Sequence, residues 1–141
     1  MILTICRCWA QTIFYPLMQA STLGRGISLA PIVSCEKSDT SHYTDVPTVD
    51  AAAVEREDGT VVVFAVNRDL SDDVILSCDL RAFGDVTFVG HSVLHHDDVK
   101  AVNTEDAPYN VVPVDITPVM EDGCVKLPAA SWNVLILKPN T

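Results

Sequence analysis

The sequence has no C-x-x-C pair, no cluster of basic residues and no uncharged run of the roughly 20 residues that a bilayer crossing needs. Each absence removes a class of function. Five cysteines at 6, 8, 35, 78 and 124 are an odd set, so neither a zinc site nor a complete disulfide framework is indicated. They read as thiols in a reducing compartment, with Cys78 and Cys124 as small buried hydrophobes inside apolar-alternating runs. A net charge of -10, with nine scattered Lys and Arg, excludes the basic footprint of a nucleic-acid partner. The run Ile27 to Cys35 is far too short to span a membrane, and no membrane partner is expected. The apolar start Met1-Ile2-Leu3-Thr4-Ile5-Cys6-Arg7-Cys8-Trp9 has neither a basic n-region nor an obvious cleavage site, and does not read as a signal peptide. Aromatic residues make up only 6%, a thin supply for a sugar-stacking platform. Trp132 opens an apolar strand and fits a core edge, while Tyr43 and Tyr109 lie in loops without a shared register.

What is present is a 48% apolar chain of 141 residues, enough for one domain with its own core. Residues 9 to 22 place Trp9, Ile13, Leu17 and Ala20 at helical spacing, with Phe14 and Met18 beside them and Pro16 inside. This predicts a short amphipathic helix whose apolar face needs a partner, and nothing downstream is obviously patterned to cover it. Beyond Gly24 and Gly26 the periodicity becomes that of short strands. Asp50 to Glu57 and Val61 to Asn67 form a hairpin through Asp58-Gly59. Val74, Leu76, Cys78 and Leu80 alternate with polar or smaller neighbours. So do Val86, Phe88, Gly90, Ser92 and Leu94, read as one strand with a buried and a wet face. A further hairpin is expected at Asp122-Gly123, and Trp132 to Leu137 makes a last apolar strand ended by Pro139. The fold class is therefore all-β, an antiparallel jelly-roll-like β-sandwich preceded by a short helix. About a dozen buried Val, Ile, Leu and Phe side chains, at roughly 1.5 to 3 kcal/mol each, can support a sandwich of this size.

Candidate chemistry is sparse. His95-His96-Asp97-Asp98 joins two kinds of metal ligand, but neighbours on a strand point to opposite faces, so a solvated strand end followed by a turn is the expectation. His42 and His91 are isolated and read the same way. Glycoside hydrolysis needs two carboxyl groups about 5 to 5.5 Å or 6.5 to 9.5 Å apart. The pairs Glu36 with Asp39 and Glu105 with Asp106 sit in polar, turn-rich segments and read as surface charge. No Ser-His-Asp or Cys-His arrangement is legible. No catalytic residue, metal or cofactor is expected in this chain.

Two segments carry a family likeness: Lys100-Ala101-Val102-Asn103-Thr104-Glu105-Asp106-Ala107-Pro108-Tyr109-Asn110-Val111-Val112-Pro113, and Leu127-Pro128-Ala129-Ala130-Ser131-Trp132-Asn133-Val134-Leu135-Ile136-Leu137. With Leu23-Gly24-Arg25-Gly26, Asp45-Val46-Pro47 and Phe64-Ala65-Val66-Asn67-Arg68, they resemble the C-terminal β-sandwich of the α-L-arabinofuranosidases of glycoside hydrolase family 51. Trp9-Ala10-Gln11-Thr12-Ile13-Phe14-Tyr15-Pro16-Leu17 is similar to the family's W-R-Q-T-I-F-Y-P-F apart from Ala10 and Leu17.

The resemblance implies a parent whose (β/α)8 barrel carries both catalytic glutamates and removes terminal non-reducing α-L-arabinofuranosyl groups from hemicellulose, with retention, in L-arabinose metabolism. Residues 1–26 would be the remnant of the last barrel strand and helix with a linker, and 27–139 the accessory sandwich. Gln11 falls where the family places a glutamine reaching the arabinose, so it is the one substrate-binding residue implied. The parent's partners would be arabinofuranoside-containing oligosaccharides, its location cytoplasmic, and homo-oligomers are frequent in the family. The glutamates have no counterpart here and the start departs from the family, which implies an inactive fragment from a truncated or frame-shifted reading frame. The opposing expectation is a free-standing carbohydrate-binding or protein-interaction β-sandwich module.

Overall fold

A computed structural model describes residues 8–117 and 124–140. The chain enters as an extended segment and turns at Thr12 into helix α1 (Phe14–Leu23). The helix starts later than apolar spacing predicts, and Pro16 gives the reason. As the third helical residue it falls in the first turn, where a backbone N–H has no intrahelical acceptor to lose. Gly24 ends the helix, its N–H donating to the Ala20 carbonyl at 2.9 Å.

The described strands are β1 (Ile27–Leu29), β2 (Lys37–Ser38), β3 (Val46–Pro47), β4 (Val49–Glu55), β5 (Val61–Asn67), β6 (Val74–Ser77), β7 (Val86–Leu94), β8 (Val114–Ile116), β9 (Cys124–Leu127) and β10 (Ser131–Pro139). Six form one antiparallel sheet in the order β1-β4-β5-β10-β7-β8, and β6 pairs with β9 in a second sheet that lies across one of its faces. The fold is the expected antiparallel sandwich with one short helix. The β4–β5 hairpin turns at Asp58-Gly59 as its sequence predicts. Asp58 Oδ1 accepts from the Thr60 N–H at 3.0 Å and Gly59 takes φ of 76°. That backbone hydrogen bond is the main reason the Asp58 carboxyl titrates below its usual range. The Asp122-Gly123 turn lies outside the described residues.

Val49, Val61, Val63, Ala65, Leu135 and Leu137 of the large sheet meet Val125 and Leu127 of β9 to form the main core. The opposite face of the same sheet carries a smaller cluster of Val62, Phe64 and Val134, over which α1 lays Leu23. β5 is therefore covered on both sides, which is why Val61-Val62-Val63-Phe64-Ala65-Val66 reads as a continuous apolar run instead of an alternation.

Two expectations need correction. Alternation along Val74 to Leu80 predicts one strand, but pairing stops at Ser77, and Leu80 instead leads into a 3-10 turn, Arg81–Phe83, that packs Leu80 and Phe83 on the core. Val86, Phe88, Gly90, Ser92 and Leu94 do not share a face either. Val89 is an extra residue opposite the Ile136–Leu137 step, a bulge that leaves Val86 and Phe88 on the core side and moves Gly90, Ser92 and Leu94 to the helix side. His91 and Val93 turn inward in consequence.

Candidate functional site

The helix docks on the sheet in the reverse sense to its apolar pattern. Its buried residue is Gln19, whose Nε2 donates to Ser92 Oγ at 3.0 Å and whose Oε1 accepts from the Trp132 indole N–H at 2.9 Å. Trp132 stacks on Phe64, with ring centroids 5.8 Å apart and planes inclined by 27°. The helix thus has a partner downstream for its polar side, while its apolar face has none among the described residues. The outward stripe stays bare, with Ile13 66% and Leu17 64% exposed and Phe14 and Met18 beside them. Replacing Gln19 with Ala is expected to cost about 1 to 2 kcal/mol by stranding two polar partners. In a Trp9→Phe background the emission of Trp132 should move to the red, and an unchanged spectrum would count against this docking.

The segment ahead of the helix is held by one residue of the 101–111 loop. Asn103 is 1% exposed. Its Nδ2 donates to the carbonyls of Ala10 at 2.8 Å and Val111 at 2.9 Å, and its Oδ1 accepts from the Val111 N–H at 2.7 Å. Its own carbonyl receives the Trp9 indole N–H and the Gln11 side-chain N–H, each at 3.1 Å. Gln11, the implied sugar contact, therefore sits on the surface with its amide anchored to the sandwich.

An open concavity of about 450 Å³ lies where β5 ends and β10 begins, walled by Thr12, Arg68, Leu94, His95, Ala101 and Trp132. Its polar groups are mostly engaged. Arg68 pairs with Asp50 at 2.8 Å and donates to the Pro47 carbonyl, and the Trp132 indole N–H belongs to Gln19. The His95-His96-Asp97-Asp98 run follows the end of β7 and leads into a turn; its two aspartates are exposed, but both histidines are half-buried, against the solvated reading. His96 Nδ1 accepts from the Asp98 N–H at 3.0 Å, and His95 Nε2 lies 3.4 Å from Asp97 Oδ1. Among the described residues no group of three or more His, Cys, Asp or Glu stands together in a way that could hold a metal ion. His42 is exposed.

Glu36, Asp39, Glu105 and Asp106 are all exposed, and no Asp or Glu is buried among the described residues. Asp39 Oδ1 accepts from the Asp45 N–H, a turn role. Tyr43 and Tyr109 project from separate loops, and Trp132 is half-buried against Phe64, so the three aromatic residues form no shared platform. Asp79 is chelated by the Arg81 guanidinium, whose hydrogen bonds hold its carboxyl down at about 2. Burial, with Cys124 nearby, pushes the Cys78 thiol up and makes it a weak nucleophile.

His91 is the residue the sequence misplaces. It reads as an isolated, solvated histidine but is 3% exposed, with Nε2 2.9 Å from Asn133 Oδ1. Asn133 Nδ2 donates to Ser131 Oγ at 2.8 Å, and that hydroxyl donates to the Pro128 carbonyl at 2.6 Å. The chain of donors fixes the amide orientation and hence the Nε2–H tautomer of His91. Burial drives its pKa below the ordinary value, with the Asn133 hydrogen bond opposing. The one sequence signal that could have placed it is Gly90, a glycine inside a strand pattern and thus a cue for the bulge at Val89.

A family model described as the α-L-arabinofuranosidase C-terminal domain matches residues 1–131. The chain belongs to that family. It is 44% identical over 134 residues to an intracellular exo-α-(1→5)-L-arabinofuranosidase 1 of Bacillus subtilis (strain 168), a match covering 92% of this chain and 26% of the relative. An exo-α-(1→6)-L-arabinofuranosidase of Bifidobacterium longum is 34% identical over 136 residues, again covering 92% and 26%. Among solved structures, a family 51 α-L-arabinofuranosidase from Bifidobacterium longum superposes with a TM-score of 0.83 at 35% identity, covering 91% of this chain and 25% of that one. The chain spans about a quarter of the length of these relatives.

Proposed function

We propose that this chain is the closing segment of an α-L-arabinofuranosidase that removes terminal α-L-arabinofuranosyl groups with retention inside the cell. In this reading residues 1–26 complete the barrel of the parent, 27–139 form the sandwich that supports it, and Gln11 reaches the sugar. The observation that carries the reading is the bare stripe of Ile13, Phe14, Leu17 and Met18 on a helix whose other side is fastened to the sandwich. Such a stripe marks a face that packs against something, and in this reading the cover is the part of the relatives that this chain does not span. Arabinofuranoside oligosaccharides would meet the parent's barrel, and homo-oligomers would form through the assembled enzyme. The names of the relatives and the unbridged thiols of Cys8, Cys35 and Cys78 support an intracellular setting.

Alone, the 141-residue chain is expected to be inactive, because no carboxylate among the described residues is buried as a catalytic pair would be. The test is turnover of a chromogenic α-L-arabinofuranoside, with calorimetry against arabinan and arabinoxylan oligosaccharides alongside. No turnover and no saturable binding is the expected result. Enzyme-like rates would overthrow the supporting role, and binding without turnover would favour a free-standing carbohydrate-binding module.

A further inference from the structure

The 101–111 loop lies more than ninety residues from the segment it holds, yet its one fully buried polar side chain belongs to neither a turn nor a strand. Asn103 spends its whole amide on two backbone segments, Ala10 on one side and Val111 on the other, and its carbonyl is the shared acceptor for the Trp9 and Gln11 side chains. A carboxamide has two N–H donors and two acceptor lone pairs. In Gln11 one N–H is tied to Asn103, and Oε1 has no partner among the described residues, so the oxygen is the end left to receive a donor from outside.

We propose that Asn103 is a positioning residue for Gln11. Its side chain clips Ala10 so that its own carbonyl orients the Gln11 amide, turning Oε1 outward to accept a hydrogen bond from a hydroxyl of an arabinofuranosyl group. The inference rests on the reading of Gln11 as a sugar contact, and it gives the sandwich a direct part in substrate binding. An unclipped Gln11 would sample several rotamers and both amide orientations, which weakens any hydrogen bond that needs one of them.

Asn103→Asp tests it with almost no change of shape. The variant keeps the acceptor for the Val111 N–H, removes both donors and sets a carboxylate against the carbonyls of Ala10 and Val111. In the 141-residue chain, the NMR signals of the Trp9 indole N–H and the Gln11 side-chain amide should move to solvent-exposed values. The Trp132 indole signal, bonded to Gln19, should stay in place and report that the sandwich remains folded. Unchanged Trp9 and Gln11 signals would overturn the positioning role whatever Gln11 does.

The second arm uses the full-length parent enzyme and a chromogenic α-L-arabinofuranoside. Gln11→Ala and Asn103→Asp should each lower kcat/KM about tenfold, and the double variant about tenfold as well, because one residue acts through the other. A hundredfold loss in the double variant would mean that Asn103 acts on something else and would overturn the proposal. Wild-type kinetics for Gln11→Ala, with the NMR change intact, would instead sink the sugar-contact reading of Gln11.

Discussion

Replacing Asn67 with Ala is expected to lower the stability of the fold by about 3 kcal/mol, with a fall in Tm of roughly 10 °C. Asn67 stands at the end of β5 and is 1% exposed. Its Nδ2 lies within hydrogen-bond distance of three carbonyls, Asp72 at 3.0 Å, Leu127 at 3.2 Å and Pro128 at 2.9 Å, while its Oδ1 accepts from the Asp69 N–H at 3.0 Å. One side chain therefore joins the large sheet, the turn after β5 and the outgoing end of β9. Asp69 continues the pattern with Oδ1 accepting from the N–H groups of Ser71 and Asp72, the cause of its carboxyl titrating below its usual range. Truncation to Ala strands the buried Leu127 carbonyl and the half-buried carbonyls of Asp72 and Pro128, at a cost of about 1 to 3 kcal/mol for a fully buried group and less where water can reach. Asn67→Asp should be at least as damaging, since it keeps the shape but points a carboxylate at three carbonyls. Thermal or urea unfolding checks both variants. An Asp variant as stable as the parent would show that the amide donors are not what holds the sheets together.

The second large effect belongs to the buried chain His91–Asn133–Ser131. Asn133→Ala should cost about 2 to 4 kcal/mol, because it removes the acceptor of one buried donor and the donor to a buried hydroxyl at the same time. The same chain makes stability depend on pH in a stated direction. His91 binds a proton less readily folded than unfolded, so below its ordinary value of 6.5 the unfolded state takes up more protons. Its contribution is complete above that value and is lost as pH falls through it toward the depressed folded pKa. The slope is at most about 1.4 kcal/mol per pH unit. His91→Gln can still donate to Asn133 and does not titrate, so it should flatten the stability profile between about pH 7.5 and 5.5. The depressed carboxyls of Asp58, Asp69, Asp73 and Asp79 act in a lower window, as pH falls through the carboxylate range. A His91→Gln profile as steep as the parent's would place the proton elsewhere.

The parts of the fold legible in the sequence are those fixed by local chemistry. Asp58-Gly59 dictates its turn, the apolar run of β10 dictates a buried strand, and Pro16 with Gly24 brackets the helix. What the sequence conceals is set by partners far along the chain. Gln19, Asn67 and Asn103 read as ordinary polar residues because each has a decisive partner 60 to 113 residues away. The bulge at Val89 reverses the faces of β7 and so hides the burial of His91; its one local cue is Gly90, a glycine inside a strand pattern. The helix misleads for a different reason. Its apolar stripe of Ile13, Phe14, Leu17 and Met18 faces away from the sandwich, so its amphipathicity points away from the sheet it rests on.

The place of β10 has a consequence for how the domain is made. It is the last of the described strands in the chain, yet it lies in the middle of the large sheet and pairs with β5 on one side and β7 on the other. While the ribosome is still adding residues before Ser131, β5 and β7 each lack that neighbour and expose an open hydrogen-bonding edge. The nascent sheet can close only once Ser131–Pro139 has left the exit tunnel, so it is completed late and by contacts of long sequence separation. Loss of Ser131–Pro139 would remove the keystone strand and leave β5 and β7 without the neighbour that joins them.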